Sequence, residues 1–239
     1  MQSKKQLAVI LSIMILGLYG FSMSGPHILS SAYAMDSDSS IQKNCFGKNN
    51  PDLSDCIVKM AQMRFAQLES ANLSHSVFHN ADFYSANLRG ADLSDADFSG
   101  SHFAYANLSH ANLSGANLSH VDFYHADLTG ADLRGANLYG ASLPGTIFED
   151  ANMEGVNLTG INADAAQFLN TNLKHAILEN AMFMGADFSG ADLTGASLSE
   201  SILTSGSLAD AKMNDANVGG LDTAGVDLSC TGHSICDLG

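Results

Sequence analysis

The sequence predicts an all-β solenoid, a coil with four sides that closes once every twenty residues. Three observations support this fold class: an unbroken five-residue period, two apolar positions two residues apart in each unit, and phenylalanines that recur at intervals of twenty. All three come from residues 66–230, which form 33 consecutive pentapeptides without an insertion or deletion.

Each pentapeptide has a central position, which is Leu or Phe in 28 of the 33 units. The inner position, two residues earlier, is Ala in 22 units, and the Asx position, one residue earlier, is Asp or Asn in 21. The two corner positions that follow are mixed and polar, with many glycines in the second. The pattern therefore separates buried from exposed positions within every unit.

A period of five fits neither a straight helix nor a straight strand. Five residues turn an α-helix by about 500°, so successive leucines would spread around its whole circumference. Because five is odd, successive leucines of a strand would alternate between its faces. A quarter-turn after each unit removes the conflict, since Gly, Asn, Asp and Ser suit turns and four units then close a coil.

Phenylalanine spacing supports four units per coil. Nine central residues are Phe, and five pairs of them lie twenty residues apart, against two pairs at fifteen. Stacked aromatic rings are favourable when offset. The spacing predicts one interior column from Phe83, Phe103 and Phe123 and a second from Phe148, Phe168 and Phe188.

Units such as ADLSD, ADLTG, ANLSH and ADLRG resemble the A(D/N)LXX consensus of the pentapeptide-repeat family, over 165 of the 239 residues. The resemblance implies a right-handed quadrilateral parallel β-helix of about eight coils, with the central and inner positions inside. From the residues themselves we predict no catalytic site and no cofactor.

The N-terminus resembles a secretory signal peptide. Lys4 and Lys5 precede an apolar run at 7–21, and Ala32-Tyr33-Ala34 has the form of a signal-peptidase site. We predict cleavage after Ala34, with residues 1–34 removed; the alternative is an uncleaved membrane anchor. Cleavage would leave an exported protein of the periplasm or thylakoid lumen, or a secreted one, with no stable membrane insertion.

Both ends of a β-helix expose unpaired backbone, which predicts a cover at each end. We predict a loop and short helical cap over residues 35–65, with Asp52 or Ser54 as N-cap and an apolar face that includes Leu53, Ile57 and Phe65. Residues 231–239 form the predicted C-terminal tail.

Four cysteines flank the repeats in two local pairs, and export would permit disulfides. We predict Cys45–Cys56 and Cys230–Cys236. For the second pair a metal site with His233 is the alternative, although structural zinc usually takes four ligands.

Charge argues against direct binding of nucleic acid. Residues 35–239 carry 25 acidic and eight basic residues, a net charge of −17, whereas phosphate neutralisation needs Lys and Arg. The histidines are dispersed over several predicted sides, so we expect no metal site among them. No Ser-His-Asp or Cys-His arrangement is recognisable.

One side of the coil carries an unusual group of aromatic and polar residues. In the units 81–85, 101–105 and 121–125, Tyr105 should sit directly beneath His125. Tyr and His are more common at binding surfaces than on inert faces. We predict a protein or glycan contact patch from these residues: Asp82, Tyr84, His102, Tyr105, Asp122, Tyr124 and His125.

The sequence therefore favours a non-catalytic exported scaffold or interaction module with a protein partner. The alternative follows family members that imitate DNA and inhibit topoisomerases, which an export signal disfavours. An enzyme or metal protein centred on residues 230–236 is a third hypothesis, and self-association of the chain stays open.

Overall fold

The computed structural model describes Cys45 and residues 52–238. From Asp52 onward, every fifth residue pairs in parallel with the residue twenty positions later, from the pair Asp52 and Asn72 to the pair Ser207 and Asp227. One coil is thus four pentapeptides, and the paired residues 52–231 make nine coils. The strands are single paired residues joined by turns, as the quarter-turn after each unit requires.

The coil has four walls, which we number by the residue that begins each: Asp52 for the first wall, Ile57 for the second, Gln62 for the third and Gln67 for the fourth. Parallel pairing at a spacing of twenty confirms a β-helix solenoid with four sides.

Backbone conformation explains the residues at the second corner position. From Asp55 to Gly225, every residue at this position has a φ between 52° and 71°. This left-handed region costs most L-residues about 1–2 kcal/mol, but Gly, Asn and Asp enter it more readily. The chain therefore turns where the sequence places these residues.

The interior is filled by the central and inner positions. Phe83 and Phe103 stack with centroids 4.7 Å apart, and Phe168 and Phe188 with centroids 4.6 Å apart. Phe123 and Phe148 extend the respective columns, so the aromatic columns predicted from the twenty-residue spacing are confirmed. Full burial of each such ring contributes about 1.5–3 kcal/mol to folding.

Polar residues at the inner position remain compatible with this core because they bond to backbone. Ser101 Oγ donates to the carbonyl oxygen of Phe78 at 2.6 Å, and Thr171 Oγ1 donates to that of Phe148 at 2.7 Å. A buried hydroxyl is costly only without such a partner.

The Asx position stabilises the turn that follows it. Asp92 Oδ1 accepts the Ser94 N–H at 3.1 Å, and Asn112 Nδ2 from the next coil donates to the same oxygen at 3.1 Å. Asx side chains commonly bond the backbone two residues later in this way. The Asp and Asn consensus therefore has a structural cause.

The N-terminal helical cap is a wrong prediction for the described residues. Residues 52–65 continue the coil, with Ile57 paired to Val77 and Gln62 paired to Asp82. Leu53 and Val58 occupy central positions and are buried. Parallel pairing satisfies the edge of the following coil, which a helix over these residues would leave unpaired.

Both cysteine pairs lie at disulfide distance. Cys45 and Cys56 have Cα atoms 5.8 Å apart, and Cys230 and Cys236 have Cα atoms 5.0 Å apart. Cys56 occupies a buried inner position, so Cys45 is held against the first coil rather than against a helix. The predicted signal peptide, residues 1–34, lies outside the described residues, as do 35–44 and 46–51 of the predicted loop.

At the C-terminal end the pairing shortens by one residue. Lys212 pairs with Thr231, nineteen positions later, and a 3₁₀ helix follows at Ser234–Leu238. Ile235 and Cys236 pack against the core. This short helix covers part of the last coil.

Candidate protein-interaction site

The third wall carries a row of contacting rings, one or two from each of four successive coils. We call it the aromatic ladder, and its members are Phe65, Tyr84, Tyr105, Tyr124 and His125. Every member occupies a corner position of its pentapeptide. The corners lie outside the paired backbone, so a ring there is on the surface and can contact a corner residue of the preceding or following coil.

Ring contacts run without a gap along the ladder. Phe65 and Tyr84 have centroids 5.8 Å apart, Tyr84 and Tyr105 5.6 Å, and Tyr105 and Tyr124 5.6 Å, each with an edge-to-face arrangement. Such arrangements match the quadrupoles of neighbouring rings. Each ring therefore restrains its neighbours while leaving part of itself in solvent.

His125 joins the ladder between two tyrosines. Its ring stacks on Tyr105 at 5.6 Å and 22°, as the twenty-residue register predicts, and meets the edge of Tyr124 at 4.3 Å. The same imidazole lies directly against Gly145 in the next coil, where any Cβ would come within 2.4 Å of it. Glycine at 145 therefore makes room for His125.

The ladder ring Tyr105 has a perturbed hydroxyl. Loss of solvent around Tyr105 raises its pKa above the ordinary value of 10.0, and the neighbouring Tyr124 and Tyr84 hydroxyls raise it further. The phenol thus stays neutral at physiological pH and can both donate and accept a hydrogen bond.

Carboxylates at the Asx positions of the third wall border the ladder. Asp82 Oδ2 lies 3.0 Å from Arg64 Nη1, and Asp122 Oδ2 lies 3.8 Å from His102 Nδ1. Each Asp also accepts the N–H of the tyrosine two residues later, at 3.0 Å in both cases. These bonds hold the backbone in place at Tyr84 and Tyr124, from which the two side chains project.

All seven residues of the predicted patch lie on the third wall. The structure brings Tyr84, Tyr105, Tyr124 and His125 into ring contact, whereas Asp82, His102 and Asp122 line their border. Whether the patch binds a partner stays a prediction.

Sequence reasoning missed two residues at the start of this surface. Phe65 begins the ladder, and Arg64 places its guanidinium carbon 4.3 Å from the Tyr84 ring centroid. Both lie in the segment interpreted as a helical cap. Continuing the five-residue frame back from Ala66 would have placed them on the third wall.

The remaining histidines and cysteines either lie on separate walls or have a structural role. His110 and His175 lie on different walls, each against a glycine one coil later. His233 Nδ1 accepts the Ile235 N–H at 3.1 Å, while the flanking cysteines pair with each other. Among Cys45 and residues 52–238, no group of three or more His, Cys, Asp or Glu side chains could hold a metal ion. Nor does this part of the chain contain a helix with the length and hydrophobicity to cross a bilayer.

The family model for pentapeptide repeats matches the chain in eight copies that extend from residue 61 to residue 220. The chain belongs to the pentapeptide-repeat family. The match covers most of the coils and agrees with the bridge register. No curated protein matches the chain.

Solved pentapeptide-repeat structures are similar in sequence to this family member. HetL of Nostoc sp. strain PCC 7120, involved in regulation of heterocyst differentiation, is 29% identical over 74% of this chain and 87% of its own, with a TM-score of 0.33. QnrB1, a plasmid-mediated fluoroquinolone resistance protein, is 23% identical over 67% of this chain and 84% of its own, with a TM-score of 0.47.

A third pentapeptide-repeat protein, from the thylakoid lumen of Arabidopsis thaliana, is 33% identical over 44% of this chain and 67% of its own, with a TM-score of 0.19. Since all three TM-scores are below 0.5, the assignment of this chain to the family rests on the repeat pattern and on the coil geometry.

Proposed function

We propose that this pentapeptide-repeat protein is an exported, non-catalytic interaction module that binds a partner protein through the aromatic ladder. The observation that carries the proposal is the exposure of large rings on one flat wall: Tyr105 is 49% exposed and Tyr124 42% exposed. Tyr is among the residues that contribute most to binding at protein interfaces.

Rigidity supports a binding role for the ladder. The rings contact one another, and the Asp side chains fix their backbone positions, so little conformational freedom is left to lose when a partner binds. Pre-organised aromatic side chains give large contact area at a low entropic cost. The solenoid behind them supplies a stiff, flat support.

A non-catalytic role is supported by what the polar side chains do. Asp92 and Asp132 accept backbone N–H groups of their own turns. The described histidines contact glycines, carboxylates or rings, except His233, which accepts a backbone N–H. Export is supported by the signal-like N-terminus and by two cysteine pairs at disulfide distance.

The DNA-mimic alternative has less support. In the Asx row of the first wall, Asp92 and Asp132 are separated by Asn112, so these two carboxylates lie two coils, or about 9.6 Å, apart. DNA carries one charge per 3.4 Å on each strand. The carboxylates of this Asx row are therefore spaced more widely than the charges of a nucleic acid, despite the net charge of −15.

The test is a pull-down from an extract of the exported compartment of the source organism, with the mature protein as bait. The double variant Tyr105→Ala, Tyr124→Ala should lose the captured partner. Tyr139→Ala is the matched control, because Tyr139 is 69% exposed but lies on the second wall.

Retention of every captured protein by the double variant at unchanged affinity would contradict the proposal. Sedimentation of the same variants identifies the case in which the partner is a second copy of the chain, since the wild-type dimer would then dissociate in the double variant alone.

A further inference from the structure

The first part of the aromatic ladder binds a guanidinium group from its own chain. Arg64 lies with its guanidinium carbon 4.3 Å from the ring centroid of Tyr84 and 5.6 Å from that of Phe65. Its Nη1 atom is also 3.0 Å from Asp82 Oδ2. Two rings at 82° to each other and one carboxylate therefore hold this cation.

The same three groups recur two coils further along the third wall. Tyr105 and Tyr124 have centroids 5.6 Å apart at 83°, against 5.8 Å and 82° for Phe65 and Tyr84. Asp122 stands forty residues after Asp82, and both accept the N–H of the tyrosine two residues later at 3.0 Å. Rings and carboxylate thus have matching positions in the two places.

The two places differ in the cation and in two histidines, since Gln62 and Ser85 stand forty residues before His102 and His125. The residue forty positions after Arg64 is Ala104, and Arg64 supplies the cation–π contacts found among residues 52–238. The groups that face Asp122 and the two rings are His102, 3.8 Å from the carboxylate, and His125, in contact with both rings. The Asp122 side chain remains 38% exposed.

We infer that Tyr105, Tyr124 and Asp122 form a site for an arginine side chain of the partner. This inference rests on the proposed function and names the chemistry of the partner. A planar guanidinium can stack on a ring while it donates to a carboxylate, which an ammonium does less well. The net charge of −15 draws a basic partner toward this surface.

The test is a titration of the mature protein with the amide of N-acetylarginine, followed by NMR signals of the tyrosine rings. Tyr105 and Tyr124 should shift most. The amides of N-acetyllysine and N-acetylcitrulline are the ligand controls: the lysine amide should bind more weakly, and the uncharged citrulline amide should leave the rings unshifted.

Three variants make the titration specific. Asp122→Asn keeps the acceptor for the Tyr124 N–H but removes the charge, and it should weaken arginine binding about threefold to fivefold. Asp92→Asn, on the first wall, should leave binding unchanged. Arg64→Ala should expose the first pair of rings and add a second set of shifts, at Phe65 and Tyr84.

Equal shifts with arginine and lysine, an unchanged affinity in Asp122→Asn, or no new shifts in Arg64→Ala would each overturn the inference. The pull-down separates this failure from that of the proposed function. A partner lost in the tyrosine double variant but fully retained by Asp122→Asn would leave the interaction module intact and remove the arginine site.

Discussion

The first and third walls share one interior and one backbone path, yet their outer surfaces differ. Along the first wall, Asp92, Asn112 and Asp132 form a regular row whose side chains bond to their own turns. Along the third wall, the corner positions carry Tyr84, Tyr105 and other aromatic side chains, whose rings contact one another. The difference shows that the repeat specifies the support, while departures from the repeat on one wall supply a candidate site.

Core substitutions should lower the stability of the protein the most, and by similar amounts on the two walls. Leu133 and Leu143 are fully buried central residues of the first and third walls. Leu133→Lys and Leu143→Lys each bury an unpaired charge, which should cost about 4 kcal/mol or more and unfold neighbouring coils.

Thermal melting followed by circular dichroism measures this effect, with Leu133→Met and Leu143→Met as controls of similar volume. A wild-type melting temperature in either lysine variant would contradict the conclusion that the two walls share one core.

Glycine substitutions should lower stability by an intermediate amount, and this amount should differ between the two walls. Gly155, on the first wall, has a φ of 68° and open space where an added methyl group would lie, whereas Gly145, on the third wall, has a φ of 65° and lies against His125. Gly155→Ala should cost about 1–2 kcal/mol from backbone strain alone. Gly145→Ala should cost about 1 kcal/mol more, since the imidazole must also move.

Urea unfolding of the two glycine variants gives this difference directly. Equal losses of unfolding free energy in the two variants would show that the contact between His125 and Gly145 does not stabilise the third wall. Weaker partner binding by Gly145→Ala, but not by Gly155→Ala, would instead show that this contact also supports the aromatic ladder.

Acid should have the smallest effect on stability, and on the first wall it should act through Asp132. The hydrogen bond from Arg134 holds the pKa of Asp132 below its ordinary value of 3.8, against an opposing effect of partial burial. A lowered pKa in the folded state stabilises the protein above pH 3.8, and the contribution is lost as the pH falls through the folded value.

Melting temperatures between pH 5 and pH 2 test this contribution, which should be small because the Arg134 side chain is mostly exposed and Asp132 is only partly buried. Asp132→Asn should show a shallower fall in melting temperature below pH 3.8 than the wild type. An identical pH profile in this variant would mean that the Arg134 contact adds nothing to stability.

The coil could be predicted from the sequence because its period is unbroken and its phenylalanines keep the twenty-residue register. The same register placed Tyr105 beneath His125 correctly. Residues 52–65 were assigned wrongly because Leu53, Ile57 and Phe65 fit an apolar helical face as well as they fit three divergent pentapeptides. Their state depends on pairing with residues 72–85, which is a contact between distant parts of the chain.

By itself, the sequence determined the period, the four sides, the buried positions and the wall that carries the candidate site. These follow from local geometry, because each unit must turn through the same angle to bury its own Leu or Phe. Tertiary structure decided that residues 52–65 belong to the coil, how the rings meet edge to face, and which carboxylate Arg64 neutralises. Such features depend on side chains from successive coils, and only stacking of the coils brings those side chains within reach of one another.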